Sequence, residues 1–340
     1  MAVSLPANAL IKKCYRAIVQ GARAASEKLP IPGVVSYAQP PGISSENSNH
    51  IGGLYKTEVV LRKSDNKAVA HRSPLDPTPE KIPAGETAAT VKAAAWDSLV
   101  HEDKLLKRVH NKFKSKIKSK KKKVPPPIPH AYGFKRRQYN KKVWESDYVD
   151  GISVLEALTS ISRDRKKSGH QKLIEGLVLF EKSCRVVEAL HENDLLHFDM
   201  KSANLIQSPN GEITAIDLAG SLYRPEEGGP LYPPSYHYEK DYLPPEYKNI
   251  NTLSTSDLKK IPYTFDYYTL AKSFQKKLFS ELNPGDYMAH ARDPKYKRFQ
   301  DFYKEYKENV FDVMTNPDPK VRETFNIQTL IDLIAKYPVK

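Results

Sequence analysis

The feature that most constrains this chain is a polar loop held between two short apolar pairs. Leu195–Leu196 precede the loop and Leu205–Ile206 follow it, which is typical of short buried strands at both ends. The loop carries a carboxylate, an ammonium and an amide in a fixed order, namely Asp199, Lys201 and Asn204. Few folds need three different polar groups at such close spacing, so the loop is a candidate catalytic site.

A second carboxylate, Asp217, follows Asn204 by thirteen residues, after a turn-forming sequence at 208–211. One carboxylate can accept or orient a hydroxyl proton, and a lysine can offset the charge of a transferring phosphoryl group. An amide and a second carboxylate can hold Mg²⁺ on a polyphosphate. The pattern predicts Asp199 and Lys201 as catalytic residues and Asn204 and Asp217 as metal ligands, although ordinary polar loop residues are the alternative.

The segment from His197 to Asn204 resembles the catalytic loop of protein kinases, H-R-D-L-K-x-x-N, and the Asp-Leu-Ala that begins at Asp217 resembles D-F-G. Three later motifs also resemble the family, in the family's order. They are Pro244–Glu246, which resembles A-P-E, Phe265–Ala271, which resembles the helix start whose Asp anchors the catalytic loop, and Asp318–Arg322, which resembles D-P-x-x-R. In the family, the arginine of this last motif pairs with the glutamate of A-P-E.

The resemblance covers roughly residues 50–335 and implies an α+β, two-lobed fold. It has a small β-rich N-lobe and hinge at 49–150, with one main helix, and a larger helical C-lobe at 151–340. Within the N-lobe, the residue pattern predicts short strands at 56–62, 67–72, 128–132 and 142–149, and a helix from residue 86 to about residue 111. Residues 1–48 are expected to form an N-terminal extension, an amphipathic helix followed by a linker. A transit-like or export-related segment, or disorder in the helical part, are the alternatives. A basic insertion is expected at 112–127. The implied cofactors are ATP and Mg²⁺, with ATP between the two lobes.

The same resemblance implies where nucleotide contacts should lie. The expected binding residues are Gly52 and Gly53 in the glycine loop, Val59, Ala70, Ile206 and Ala215 around adenine, Asp147 and Val149 in the hinge, and Glu102 as the ion-pair glutamate of the main N-lobe helix.

Several positions depart from the family pattern. Phe198 stands in place of the Arg that would bind a phosphorylated activation loop, and Ala219 in place of the Gly of D-F-G. The strand expected to read V-A-x-K ends in Arg72, and a guanidinium does not simply replace an ammonium. Leu54–Thr57 resembles the glycine loop of with-no-lysine kinases, in which a lysine there reaches the phosphates. We therefore expect Lys56 to be the phosphate ligand, with Arg72, or neither, as the alternatives.

The function favoured by the resemblance is an ATP-dependent phosphotransferase, most simply a divergent serine/threonine protein kinase acting on a protein hydroxyl. Lys201, two residues after Asp199, resembles the serine/threonine-specific branch more than the tyrosine-specific one. Two alternatives stay open. One is a pseudokinase that serves as a binding or scaffolding module, and the other is an atypical kinase of small molecules.

The formal net charge is +14, and its distribution is uneven. The run 112–123 holds eight lysines and no acid, so 14 − 8 leaves +6 for the rest of the chain. A solvated loop, a nuclear-import signal and a docking site for a polyanion are the interpretations left open. The run lacks interleaved aromatic residues, so base-stacking recognition of nucleic acid is not expected.

The remaining composition favours an intracellular, reducing compartment, either cytoplasm or nucleus, without a transmembrane segment. The chain has two distant cysteines, Cys14 and Cys184, which cannot form a disulfide framework or a cysteine zinc cluster. Cys184 falls on the apolar stripe of a helix expected at 171–193, so it is expected in the core.

Overall fold

The computed structural model divides into two compact units. The first comprises Met1–Trp96 and Ala131–Tyr148, and the second comprises Asp97–His130 and Val149–Lys340. The residues that the structure describes are 37–38, 49–51, 55–62, 64–65, 67–77, 82, 85, 87–118, 127–136, 142–224, 241–281 and 294–338. The expectations for residues 1–48, apart from a short strand at 37–38, and for Gly52 and Gly53 lie outside this part of the chain.

The first unit is built on an antiparallel sheet in the order β1-β3-β4-β6-β5, with β2 also paired to β3. The strands are β1 (Tyr37–Ala38), β2 (Asn49–Ile51), β3 (Tyr55–Arg62), β4 (Lys67–Pro74), β5 (Ala131–Arg136) and β6 (Lys142–Asp147). The expected strand at 128–132 is shifted to β5, because Pro129 lacks the N–H that a ladder requires.

Strand register assigns side chains to the two faces of this sheet. Val59 lies opposite Ala70, and Thr57 lies opposite Arg72, so these four side chains share one face. Lys56 lies opposite Ser73 and therefore belongs to the other face. The pairing between β3 and β4 runs without a bulge, so the assignment holds along both strands.

The long helix α1 (Ala88–Lys118) begins in the first unit and continues in the second. In the first unit, the Tyr55 hydroxyl donates to the Ala95 carbonyl at 3.2 Å and Trp96 packs near Phe134. The helix extends past residue 111, where the sequence predicted its end. Lysine is a good helix former, and the start of the basic run is anchored because Phe113 is buried and Lys112 pairs with Asp194. The lysine run is therefore helical at least to residue 118, not an irregular loop from its first residue.

The second unit is mainly helical. Its helices are α2 (Val154–Arg163), α3 (Gly169–His191), α4 (Thr255–Lys260), α5 (Thr264–Glu281), α6 (Pro294–Tyr306) followed by a π-helical turn at Lys307–Phe311, α7 (Asp312–Met314), α8 (Pro319–Arg322) and α9 (Ile327–Lys336). Two small antiparallel sheets complete the described part of the unit. One has three strands in the order β10-β9-β7, and the other pairs β11 with β8. The strands are β7 (Ile152–Ser153), β8 (Leu195–Leu196), β9 (Leu205–Gln207), β10 (Ile213–Ala215) and β11 (Leu222–Tyr223). The architecture is thus a β-sheet region together with a largely helical region, compatible with the expected α+β class.

Helix α3 forms the centre of the second unit's core. It begins at a capping box, in which Ser168 and Gln171 satisfy each other's backbone N–H groups. Its apolar stripe is fully buried and includes Leu173, Phe180 and Cys184, so the expectation that Cys184 is a core residue is confirmed. Burial also raises the pKa of the Cys184 thiol well above its usual range, which keeps it unreactive.

Among the described residues, no helix is both long enough and apolar enough to cross a membrane.

Candidate active site

Two antiparallel strand pairs hold the polar loop of the second unit at both ends. β8 pairs with β11 through Leu196 and Leu222, and β9 pairs with β10 through Leu205 and Ala215. The short apolar pairs are therefore strands, as the sequence predicted. The loop between them, 197–204, contains both Asp199 and Asn204 and lies beside the segment that carries Asp217.

Within the loop, two of the predicted residues contact the carboxylate of a third, Asp199. The Lys201 ammonium lies 3.1 Å from Asp199 Oδ2, and the Asn204 amide nitrogen donates to the same oxygen at 2.9 Å. The amide nitrogen also donates to the Asp199 carbonyl at 2.9 Å. Because both bonds use the amide nitrogen, the amide oxygen is the Asn204 atom that can ligate a cation.

The Asp199 carboxyl is nearly buried, and its environment changes its acidity. Burial raises its pKa above the ordinary aspartate value, while the neighbouring Lys201 and His197 oppose that rise and Asp217 adds to it. A carboxylate with a raised pKa is a better proton acceptor than a solvated one. The site therefore combines a carboxylate of raised pKa with an ammonium group 3.1 Å away.

A backbone hydrogen bond connects Asn204 to the residue that precedes Asp217, the other predicted metal ligand. The N–H of Ile216, the residue before Asp217, donates to the carbonyl of Asn204 at 2.9 Å. An amide oxygen and a carboxylate are the hard donors that Mg²⁺ prefers, and Mg²⁺ normally completes its shell with water and substrate phosphates. Among the described residues, no cluster of three His, Cys, Asp or Glu side chains could hold a metal without such help. By their chemistry, the side chains of Asn204 and Asp217 would suit Mg²⁺ as two ligands among several.

A buried carboxylate, Asp266 at the start of α5, fixes the backbone of the loop. Its two oxygens accept the N–H groups of His197 and Phe198, each at 2.8 Å, and one of them also lies 2.9 Å from His191 Nε2. Phe198 has a positive φ of 64°, a conformation that is unfavourable for a bulky residue. The paired bonds to Asp266 hold this strained backbone in place, which is the anchoring role that the resemblance implied.

A second anchor, Ser273 on α5, was not found by sequence reasoning. Its hydroxyl oxygen accepts the Ser202 N–H at 2.7 Å, and it donates to the Ser202 hydroxyl oxygen at 2.8 Å. Ser273 lies seven residues after Asp266, two helical turns along the same face of α5. That spacing is the signal that could have identified it.

Helix α1 contributes buried polar groups to the Asp217 segment within the second unit. Glu102 is fully buried, and its Oε1 accepts the Leu218 N–H at 3.3 Å. Nε2 of the preceding residue, His101, donates to the Ser221 carbonyl at 2.9 Å. The His197 ring donates to the Ile216 carbonyl at 3.0 Å, so the segment is held from both sides. His101 carried no sequence signal.

The A-P-E-like and D-P-x-x-R-like motifs contact each other, as the resemblance implied. The guanidinium of Arg322 is buried and pairs with Glu246. It also donates to the carbonyl of Asn316 at 2.6 Å.

The remaining predicted residues are divided between the units. Val59, Ala70 and Arg72 share a face of the first unit's sheet, while Lys56 lies on the other face. The Arg72 guanidinium lies 4.3 Å above the ring of the buried Trp144, its partner across β4 and β6. Asp147 ends β6, where it pairs with Lys67 at 2.7 Å. Val149 and Ile206 belong to the second unit, the latter in β9.

The chain shows partial similarity to curated bacterial kinases. A stretch of 97 residues is 27% identical to serine/threonine-protein kinase PknD of Chlamydia trachomatis serovar D, covering 28% of this chain and 9% of that relative. PknD of Chlamydia muridarum is 26% identical over the same length. The chain thus spans less than a tenth of the relatives that it matches. No family model matches the chain.

Proposed function

We propose that this chain is an ATP-dependent phosphotransferase of the serine/threonine protein kinase type, transferring the γ-phosphoryl group of ATP to a protein hydroxyl. The observation that carries the proposal is the convergence of Lys201 and Asn204 on Asp199, with Asn204 bonded to the residue that precedes Asp217. The partial similarity to PknD supports the same chemistry.

Each side chain of the second unit has a separate role in this proposal. Asp199 orients the acceptor hydroxyl and takes its proton, and Lys201 offsets the charge on the moving phosphoryl group. Asn204 and Asp217 hold Mg²⁺, which neutralises phosphate charge when it is bound. The anchors Asp266 and Ser273 keep the loop in place, so that catalysis depends on positioning and electrostatics.

For the cation that holds the α- and β-phosphates, we propose Arg72 instead of Lys56. Arg72 shares its sheet face with Val59 and Ala70, the residues expected around adenine, whereas Lys56 lies on the opposite face. The register therefore gives no support to the resemblance to with-no-lysine kinases. Hinge contacts at Asp147 and Val149, and a pairing of Glu102 with the phosphate cation, stay predictions.

One observation favours a second candidate, a pseudokinase. Arg72 occupies the position of the family's lysine, and its guanidinium stacks on Trp144. An arginine committed to an aromatic partner is less able to hold phosphates than a flexible lysine. A pseudokinase would keep the fold and the nucleotide site without transferring phosphate.

Transfer of radiolabelled phosphate from γ-labelled Mg-ATP tests the proposal on the purified full chain. We expect wild type to label itself or a generic protein acceptor, and Asp217→Asn to lower the labelling by on the order of a hundredfold, because a metal ligand is lost. Asp332→Asn, at an exposed position on α9, is the matched control and should behave as wild type.

Three other results are informative. ATP binding without transfer to any acceptor would establish the pseudokinase alternative. Labelling of small alcohols but not of protein would indicate an atypical small-molecule kinase. Absence of Mg-ATP binding would contradict the proposal altogether.

A further inference from the structure

The last turns of helix α1, residues 104–118, carry charge of one sign only. This part of the helix lies in the second unit and contains seven cations and no acid, namely Lys104, Lys107, Arg108, Lys112, Lys114, Lys116 and Lys118. A helix dipole favours cations near the C-terminus, but that effect is confined to the last turn. Lys104 and Lys107 stand about three to four turns before the end, so the helix dipole does not explain them.

Burial divides this segment into an apolar side and a charged side. Four apolar side chains are buried, namely Leu105, Leu106, Val109 and Phe113. Between residues 104 and 114, the exposed positions are Lys104, Lys107, Asn111 and Lys114. They follow one another at spacings of three and four residues, so they form one row along the helix. We call these four residues the α1 basic row, and the packed apolar side holds them in a fixed orientation.

The ion pairs of this segment leave most of its charge in place. Lys107 Nζ lies 2.7 Å from Asp103 Oδ2, and Lys112 pairs with Asp194. Counting both carboxylates against the seven cations leaves a formal charge of 7 − 2 = +5. The Lys107 side chain is 48% exposed, and an ion pair at such a position contributes little and is screened by salt. Lys107 can therefore exchange Asp103 for another anion.

The chemistry of the row selects among the polyanions that such a charge attracts. All four of its residues are polar, so the row lacks the exposed apolar face with which a helix enters a lipid surface. It also lacks the aromatic side chains on which the bases of single strands stack. A flexible acidic peptide would lose conformational freedom on binding. A nucleic-acid duplex is stiff and needs neither apolar nor aromatic contacts, and DNA carries about one phosphate charge per 1.7 Å of its axis.

We propose that the α1 basic row is a docking surface for double-stranded nucleic acid, which it binds through the phosphate backbone without reading the bases. Residues 104–118 span about 21 Å, at about 1.5 Å per residue, so several phosphates of one duplex lie within reach. Lysine binds phosphate as a point charge, which suits a ligand of any sequence. The row lies outside the residues proposed for phosphotransfer.

The test measures binding of the purified full chain to a short fluorescent DNA duplex of random sequence, by anisotropy and without ATP. We expect a dissociation constant in the micromolar range or below at about 50 mM salt, and affinity lower by more than about tenfold at about 200 mM. The double variant Lys104→Gln, Lys114→Gln should bind at least about tenfold more weakly at the lower salt concentration. Its slope of log K against log salt should be shallower by about 1.8, because each phosphate contact contributes about 0.9.

The matched control is the double variant Lys166→Gln, Lys320→Gln, which removes the same charge from two exposed positions of the second unit outside α1. It should bind the duplex within about threefold of wild type and keep the wild-type salt slope. Glutamine is a good helix former, like lysine, so α1 should persist in the test variant, and circular dichroism and thermal unfolding check this. Because the assay contains no ATP, its result is independent of the proposed kinase activity.

Competition distinguishes the duplex from other polyanions. Polyglutamate and vesicles that contain phosphatidylserine should displace the duplex only at charge concentrations about tenfold or more above that of a competing unlabelled duplex, whatever its sequence. Tighter binding of polyglutamate or of the vesicles would overturn the proposal in favour of an acidic protein or a membrane surface. The proposal is equally overturned if wild type binds no duplex at the lower salt concentration, or if the folded Lys104→Gln, Lys114→Gln variant binds as tightly as wild type.

Discussion

At the scale of single residues, the register of β3 and β4 determines which cation we expect to contact the α- and β-phosphates of ATP. Arg72 lies on the face of Val59 and Ala70, and Lys56 lies on the other face. A cation near the α- and β-phosphates contributes strongly in a cleft of reduced dielectric. We therefore expect Arg72→Met to lower phosphotransfer on the order of a hundredfold, while Lys56→Met changes it by less than about threefold.

Steady-state kinetics of both variants with Mg-ATP check this expectation, and each variant serves as the control for the other. The reverse pattern, with Lys56→Met inactive and Arg72→Met active, would restore the with-no-lysine interpretation. Full activity in both variants would show that another group holds the phosphates.

We expect His101 to make the stability of the protein depend on pH. Burial lowers its pKa from the ordinary 6.5, although its bond to the Ser221 carbonyl acts in the opposite direction. As the pH falls below 6.5, the unfolded chain gains a proton that the folded chain does not take up, so the free energy of unfolding falls until the folded pKa is reached. The slope is at most about 1.4 kcal/mol per pH unit.

We expect His101→Gln, which keeps an N–H donor but does not titrate, to lose this part of the pH dependence. Urea unfolding of both proteins between pH 7.5 and pH 5 measures the difference. Equal falls in the free energy of unfolding for wild type and variant would show that His101 contributes no such effect.

At the scale of elements, α5 holds the catalytic loop through two residues on one face, Asp266 and Ser273. Ser273→Ala would leave the buried Ser202 N–H without its partner, at a cost of about 1–3 kcal/mol. We expect lower stability in urea, and a larger loss of phosphotransfer rate than of ATP affinity, because the loop rather than the nucleotide is displaced.

Ser183→Ala is the matched control for Ser273→Ala. Ser183 is equally buried, but its hydroxyl donates at 2.7 Å to the Leu179 carbonyl within α3, which already takes part in helix bonding. Its loss should cost less than about 1 kcal/mol and leave the rate unchanged. Similar effects of the two substitutions would remove the argument that Ser273 positions the loop.

Elements with a local pattern were predictable from the sequence. The bounds of β3 and β4 were predicted to within a few residues, and helical periodicity predicted α3. These predictions succeeded because both patterns depend only on residues that are close in the sequence. The end of α1 was missed, since it depends on burial of Phe113 and on the pairing of Lys112 with Asp194, 82 residues away. Contacts between distant segments carry no local pattern.

The same distinction between local patterns and long-range contacts applies to the candidate site. Asp199, Lys201, Asn204 and Asp217 stand out by spacing, and the structure places the first three within one hydrogen-bonded group. The face occupied by Lys56 depends on a one-residue register that the sequence does not specify.

At the scale of the whole molecule, an ion pair joins distant parts of the second unit. Arg322 is buried and pairs with Glu246, 76 residues earlier in the chain. Glu246→Gln would leave the guanidinium without its counter-charge, and we expect a loss of about 1–3 kcal/mol in the free energy of unfolding. Glu308→Gln, at an exposed position, is the control and should stay within about 0.5 kcal/mol of wild type in urea unfolding. An equally small effect of Glu246→Gln would show that this pair does not stabilise the unit.

The proposed function as a whole depends on Asp199 acting on the acceptor rather than on the nucleotide. The most direct test is a single-turnover measurement on Asp199→Asn, with Mg-ATP affinity and phosphotransfer rate determined on the same sample. We predict ATP affinity within about threefold of wild type and a transfer rate lower by about 10²–10⁴-fold, the range for loss of a general base. Transfer at the wild-type rate by folded Asp199→Asn would contradict the assignment of this loop as a phosphotransfer site.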